Sequence, residues 1–273
     1  MRPDSGFDLL TDAGDLLYPD ISLKKSLKPL KECLYAVFCI DISSVKCYNQ
    51  LEAGEAICTV RQEKNIGEIN KMDRAIAKVG SAVVTVTVFM FALFLLINYS
   101  LGGYFVCLIL PVGFIMMTAG LQGECESDRK VAANIGMALA AVYAVFIMLV
   151  YFSQLTTVNN EQLNEQASKL LKFNSFGLIF NFDLLGYGVM ALSTFFTGLA
   201  MKPKSKADKW LRALMMIHGV FYLSCTFMPM TGMFSKMSSG GNGLGGRLAL
   251  VAWCVYFLPI GILAFVHFGR QEK

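Results

Sequence analysis

The chain has 273 residues, 55% of them apolar and 16% charged, with a mean hydropathy of +0.53. Soluble domains carry about a quarter charged residues, so this shortfall excludes an ordinary water-soluble fold. The charges are also uneven: 23 of the 44 lie in the first 78 positions. No Asp, Glu, Lys or Arg interrupts the 45 positions from Val79 to Gly123 or the 30 from Val131 to Asn160, and runs of that length read as membrane spans.

Residues 1–71 read as a polar N-terminal extension. It starts acidic and lacks the basic start and apolar core of a signal peptide, and its apolar stretch Leu34 to Ile40 is too short to span. Cys33, Cys39, Cys47 and Cys58 are spaced too widely for paired zinc ligands, and no His accompanies them. Met72 is an alternative start. Gly67-Glu68-Ile69-Asn70-Lys71 can be encoded by a purine-rich ribosome-binding sequence at the bacterial distance, in which case residues 1–71 are not translated and 202 residues remain. The rival reading is a small cytoplasmic domain, marginal for a core of its own.

A helix rises about 1.5 Å per residue and the hydrocarbon core is about 30 Å thick, so a span takes ~20 residues. Six segments of residues 72–273 qualify: about 79–97, 104–122, 131–153, 176–201, 210–234 and 248–268. A turn from Asn98 to Gly103 makes the first two a hairpin. Asn159 to Ser175 carries Leu163, Ala167, Leu170 and Leu171 at helical spacing, which fits either a short surface helix or a solvated loop. The Gly/Ser stretch Ser238 to Gly246 lacks a Gly-Lys-Ser/Thr sequel and reads as a linker.

With the N-terminus inside, 13 Lys and Arg residues flank the spans on the inner side and 4 on the outer: Lys169, Lys172, Lys236 and Arg247. The positive-inside rule therefore predicts an all-α bundle of six spans with both termini cytoplasmic, in a cell membrane, read as a bacterial cytoplasmic membrane. The lipid bilayer accounts for the basic residues, and no nucleic-acid partner is expected.

An ionisable group inside a bilayer is a functional candidate, because it is costly unless it faces the bundle interior or a wet cavity. Asp183 lies near the outer end of span four and His218 in span five. Antiparallel packing of these spans would set Asp183 level with Tyr222 and Tyr187 level with His218. The predicted ligand or proton-relay cluster is therefore Asp183, Tyr187, His218 and Tyr222, with Asn181. The competing reading is a set of hydrogen bonds that only fixes packing, each worth about 0.6 kcal/mol.

Pro111, Pro229 and Pro259 predict kinks in spans two, five and six. Spans two and five correspond under an inverted three-plus-three repeat, an arrangement used by transporters. Gly136, Ala140 and Ala144 form a small-residue stripe, suited to a helix contact within the chain or to a homo-oligomer.

Two histidines are too few for a multi-His iron or bis-haem site, and His-Glu-x-x-His and Walker sequences are absent. No cofactor, metal or catalytic residue is expected, and an enzyme is disfavoured. The reading is a multi-pass membrane protein, foremost a small-solute or proton-linked permease. The alternative is a non-catalytic membrane sensor or assembly partner with a structural polar cluster.

Overall fold

The computed structural model describes residues 71–160, 162–174, 177–232 and 244–270, with side chains in the last stretch from residue 249. The readings placed on residues 1–70 and on the Gly/Ser loop up to residue 243 lie outside the described residues. Within them the protein is all-helical. Six helical segments are long and apolar enough to cross a membrane: Lys71–Leu96, Ser100–Gly123, Ser127–Val158, Leu178–Ala200, Lys206–Met230 and Ala249–Gly269.

We label the elements α1 (Lys71–Leu96), α2 (Ser100–Gly123), α3 (Lys130–Ser153), α4 (Glu165–Leu171), α5 (Leu178–Ala200), α6 (Lys206–His218), α7 (Phe221–Met230) and α8 (Leu244–Gly269). A 3₁₀ turn, Ser127–Arg129, leads into α3, and a π turn, Gln154–Val158, follows it. The short α4 is the predicted surface helix, capped by Asn164, whose Oδ1 accepts from the Ala167 N–H at 2.8 Å.

Two local expectations change. The α1–α2 turn is tighter than Asn98 to Gly103, because Asn98 takes the left-handed conformation (φ 58°) and helix resumes at Ser100. Span five breaks at Gly219–Val220, ten residues before Pro229. There Gly219, Val220, Tyr222 and Leu223 each bond three residues back rather than four. Pro111 and Pro259 sit inside the continuous helices α2 and α8.

Consecutive spans are neighbours, and α8 closes the ring by packing on both α6 and α1. The start of α1 meets the ends of α2 and α8: Gly120 lies against Ala77 and Phe268, and Lys78 Nζ sits 5.0 Å from the Phe265 ring centroid. We call this the near end and the opposite one, which carries α4, the far end. The centre of the ring is filled by side chains. Leu110, Phe114, Met117, Tyr143, Ile147, Met190 and Phe257 are fully buried there, with Phe114 edge-on to Tyr143 at 5.3 Å.

Hydrocarbon gives apolar helices no solvent-driven reason to associate, so contact depends on close fit. At the α1–α2 contact, a Cβ on Gly80 would lie 2.8 Å from the Gly113 carbonyl oxygen, and one on Gly113 would lie 3.0 Å from that of Gly80. Gly80→Val is therefore expected to separate these helices and cost about 1–3 kcal/mol. Shortened survival of the folded protein in detergent at fixed temperature would report it, and unchanged survival would refute the contact.

The stripe on α3 is occupied within the chain. Ser193 Oγ donates to the Gly136 carbonyl at 2.6 Å, Thr197 leaves no room for a Cβ at Gly136, and Ala140 and Ala144 are buried. Its small residues let α3 and α5 approach closely, so the stripe serves a helix contact within the chain, one of the two uses expected of it.

Candidate functional site

The predicted polar cluster divides in two. Asp183 and Tyr187 lie one turn apart on the same face of α5, both buried. Tyr104 and Cys107 from α2, Tyr143 and Tyr151 from α3, and Cys225 from α7 lie within electrostatic reach of the Asp183 carboxyl. The Tyr151 side chain lies at the carboxyl itself and also reaches Cys107. Tyr187 Oη donates to Cys107 Sγ at 3.7 Å. A polar thread thus runs from Asp183 through Tyr151 and Cys107 to Tyr187. Two oxygens, one on the thread and one on the neighbouring Tyr143, are unsatisfied: Asp183 Oδ1 and Tyr143 Oη are buried and without a hydrogen-bond partner among the described residues. Buried polar atoms of that kind are uncommon and call for an explanation.

His218 belongs to a second group, which Trp253 joins to the first by touching both His218 and Tyr187. Its Nε2 accepts from Trp253 Nε1 at 3.1 Å, while Nδ1 faces Thr194 Oγ1 at 2.8 Å. Thr194 in turn faces the Ala191 carbonyl at 2.8 Å. Because the indole only donates, the ring is the neutral tautomer with its proton on Nδ1. Both nitrogens are satisfied, and Phe221, Tyr256 and Phe257 pack around the ring. This is a core histidine. Trp253 also meets Tyr187 edge-on at 4.9 Å, which sets an indole face between the two groups.

The depth pairing of the remaining candidates also changes. Tyr222 packs over Gly188, where a Cβ would lie 3.4 Å from its ring. Asn181 is exposed on the outer surface of α5. The buried hydroxyls of Ser81, Thr87, Thr118 and Thr197 donate to carbonyls four residues back in their own helices, so they are satisfied locally.

Above Asp183 the far end is roofed by aromatic rings. Tyr104, Tyr151 and Phe173 form a triangle with centroids 5.7, 5.9 and 6.1 Å apart, and Phe180 meets Phe173 edge-on at 5.8 Å. Phe173 comes from the strap that follows α4. Gln154, buried in the π turn, holds that strap: Nε2 donates to the Leu171 carbonyl at 2.8 Å and Oε1 accepts from the Phe173 N–H at 2.9 Å. The π turn is what swings this amide toward the strap, and such bulges are frequent at functional sites. With Gln154→Leu, the freed backbone groups of the strap are expected to raise amide exchange at Phe173 by about tenfold or more. Exchange at the wild-type rate would remove Gln154 as the clamp.

The near end carries a charged cluster that draws on four helices. His267 on α8 lies between two carboxylates, with Nε2 2.8 Å from Glu124 Oε2 and Nδ1 3.0 Å from Asp208 Oδ1. Carboxylates only accept, so both ring nitrogens must carry hydrogen and His267 is an imidazolium. Arg270 reaches Asp208 at 3.0 Å and also bonds Ser205, and Arg74 of α1 lies 3.8 Å from Glu124. Asp208 also caps α6: its Oδ2 accepts from the Lys204 N–H at 3.1 Å, while its own N–H donates to Ser205 Oγ at 3.1 Å. No local sequence pattern marks His267 as the partner of two carboxylates. The Ser205-Lys206-Ala207-Asp208 capping pattern was the legible signal, but the partners at 124 and 267 come together only through the closed ring.

Beside this cluster, burial and then the neighbouring Asp128 push the Cys125 thiol above its ordinary pKa. It is therefore a protonated, weakly nucleophilic group.

No family model matches the chain, and no curated protein or solved structure is significantly similar to it.

Proposed function

We propose that this multi-pass membrane protein is a small permease, proton-linked, with Asp183 as its working carboxyl. The observation that carries this reading is a carboxyl buried in the far half of a membrane bundle with one oxygen unpartnered. No Lys, Arg or protonated His among the described residues is bonded to it. A charge held so is costly in low dielectric, and taking up a proton removes the cost. Release of the proton restores the charge. That cycle is what a proton-coupled carrier requires of one group.

Two features of the bundle support a moving part. The half-span α7 has no fully buried residue and follows the tightened turn at Gly219–Val220, so one side of the Asp183 pocket is lightly held. The near end is closed by the His267 cluster while the far end is closed by rings, a weaker and reversible cover. We place the near end, with both termini, on the cytoplasmic side, where the basic flanks belong, in a bacterial cytoplasmic membrane.

A non-transporting sensor or assembly partner is the second reading, favoured by the filled centre and the satisfied His218. Purified protein in liposomes with a trapped pH dye separates the two. With Na⁺ and K⁺ salts present to move against the proton, the permease reading expects an imposed pH gradient to collapse faster than in empty liposomes, and faster than with Asp183→Asn. Equal rates in all three preparations would leave the second reading.

A further inference from the structure

Resting on that reading, we infer that the Asp183 pocket binds a small monovalent cation in exchange for its proton. In the membrane interior the carboxylate needs one positive charge, and no cationic side chain on the elements packed against α5 bonds it: Lys169 of α4 is exposed and paired with Glu165, and Lys206, Lys209 and Arg212 lie in the first two turns of α6 at the near end. The ionisable groups within electrostatic reach of it are Tyr104 and Cys107 on α2, Tyr143 and Tyr151 on α3, and Cys225 on α7, all of them neutral groups. His218 on α6 is neutral and committed to Thr194 and Trp253. The charge therefore comes from outside the chain, as a proton or as a cation. The exchange balances: the carboxylic acid gives up its proton as the cation binds the carboxylate, and the pocket stays neutral throughout.

The surroundings suit a cation as well as a proton. Asp183 Oδ1 is buried and unpartnered, so a carboxylate oxygen is free to take a cation, and Tyr143 Oη is a second buried oxygen without a partner among the described residues. The rings of Tyr104, Tyr151 and Phe173 pack against one another with centroids about 6 Å apart, and aromatic rings attract cations. The carboxylate calls for a single positive charge, so the ligands to test are an alkali ion, ammonium and methylammonium.

Trp253 makes the site observable, because it stands edge-on to Tyr187 and the chain's other tryptophan, Trp210, is removable by Trp210→Phe. In that background the full chain in detergent is titrated with NaCl, KCl, NH₄Cl and methylammonium chloride. N-methyl-glucamine chloride keeps the ionic strength constant. Binding predicts a saturable change in Trp253 emission, and a matching rise in thermal stability, for at least one of the four salts. The apparent affinity should weaken by about tenfold per pH unit once the proton holds the site. Asp183→Asn should abolish the response, and Tyr151→Phe should weaken it. The inference is overturned if neither readout saturates with any of the four cations, or if Asp183→Asn responds as wild type does. Asp183-dependent proton flux without cation binding would overturn this inference and leave the permease reading standing. Cation binding with no flux would do the reverse.

Discussion

Replacing His267 with alanine is expected to destabilise the bundle by about 3 kcal/mol. Removing one member of a buried ion pair strands its partner in low dielectric, which typically costs about 3–5 kcal/mol. Here two carboxylates are stranded at once, since Glu124 and Asp208 both lean on the same ring. Arg270 still neutralises Asp208, and the Glu124 side chain is 17% exposed, so the lower end of that range applies. The decisive companion is the double variant His267→Ala with Glu124→Gln. It removes a stranded charge and should recover part of the lost stability. The half-life of the monodisperse peak in detergent at a fixed temperature measures both. A double variant weaker than the single one would mean that the cluster acts by shape and not by charge.

The second large effect concerns Asp183 and has the opposite sign for stability. Asparagine keeps the shape of the carboxyl and removes the charge that the pocket does not balance. Asp183→Asn should therefore be as stable as wild type or more so, within about 1–2 kcal/mol, since its amide can donate to Tyr151 or Tyr143. Transport should fall by at least about tenfold, because the group that takes up and releases the proton is gone. A residue kept only to fix helix packing would behave differently, losing stability and leaving flux unchanged per folded molecule. Gain in stability with loss of work is the pattern expected where a group is held under strain for function.

The bundle was legible because its signals are local. Forty-five uncharged positions in a row read as a hairpin of spans, whereas Leu163, Ala167, Leu170 and Leu171 fit a short helix and a loop equally, and the Asn164 cap is what the structure adds. Asp183 was legible too, since an acid in a hydrophobic run stands out against its neighbours. Its partners were not. Pairing by depth put Tyr222 beside Asp183 and Tyr187 beside His218, which assumes that α5 and span five pack along one continuous seam. The tightened turn at Gly219–Val220 rotates that seam, so Tyr222 lands on Gly188 and His218 turns to Trp253. Tyr151 and Cys107, which do face Asp183, lie 32 and 76 positions away on helices whose azimuth a uniformly apolar sequence does not encode. The near-end cluster was missed for a related reason: Glu124, Asp208 and His267 each look like an ordinary helix-end residue until the ring closes.

The central claim, that Asp183 works as a proton-coupled group in a carrier, is tested most directly by measuring proton flux and thermal stability on the same preparations of wild type and Asp183→Asn. The account predicts that the variant loses the flux while holding or gaining stability. Equal flux at equal stability in the two proteins would contradict it.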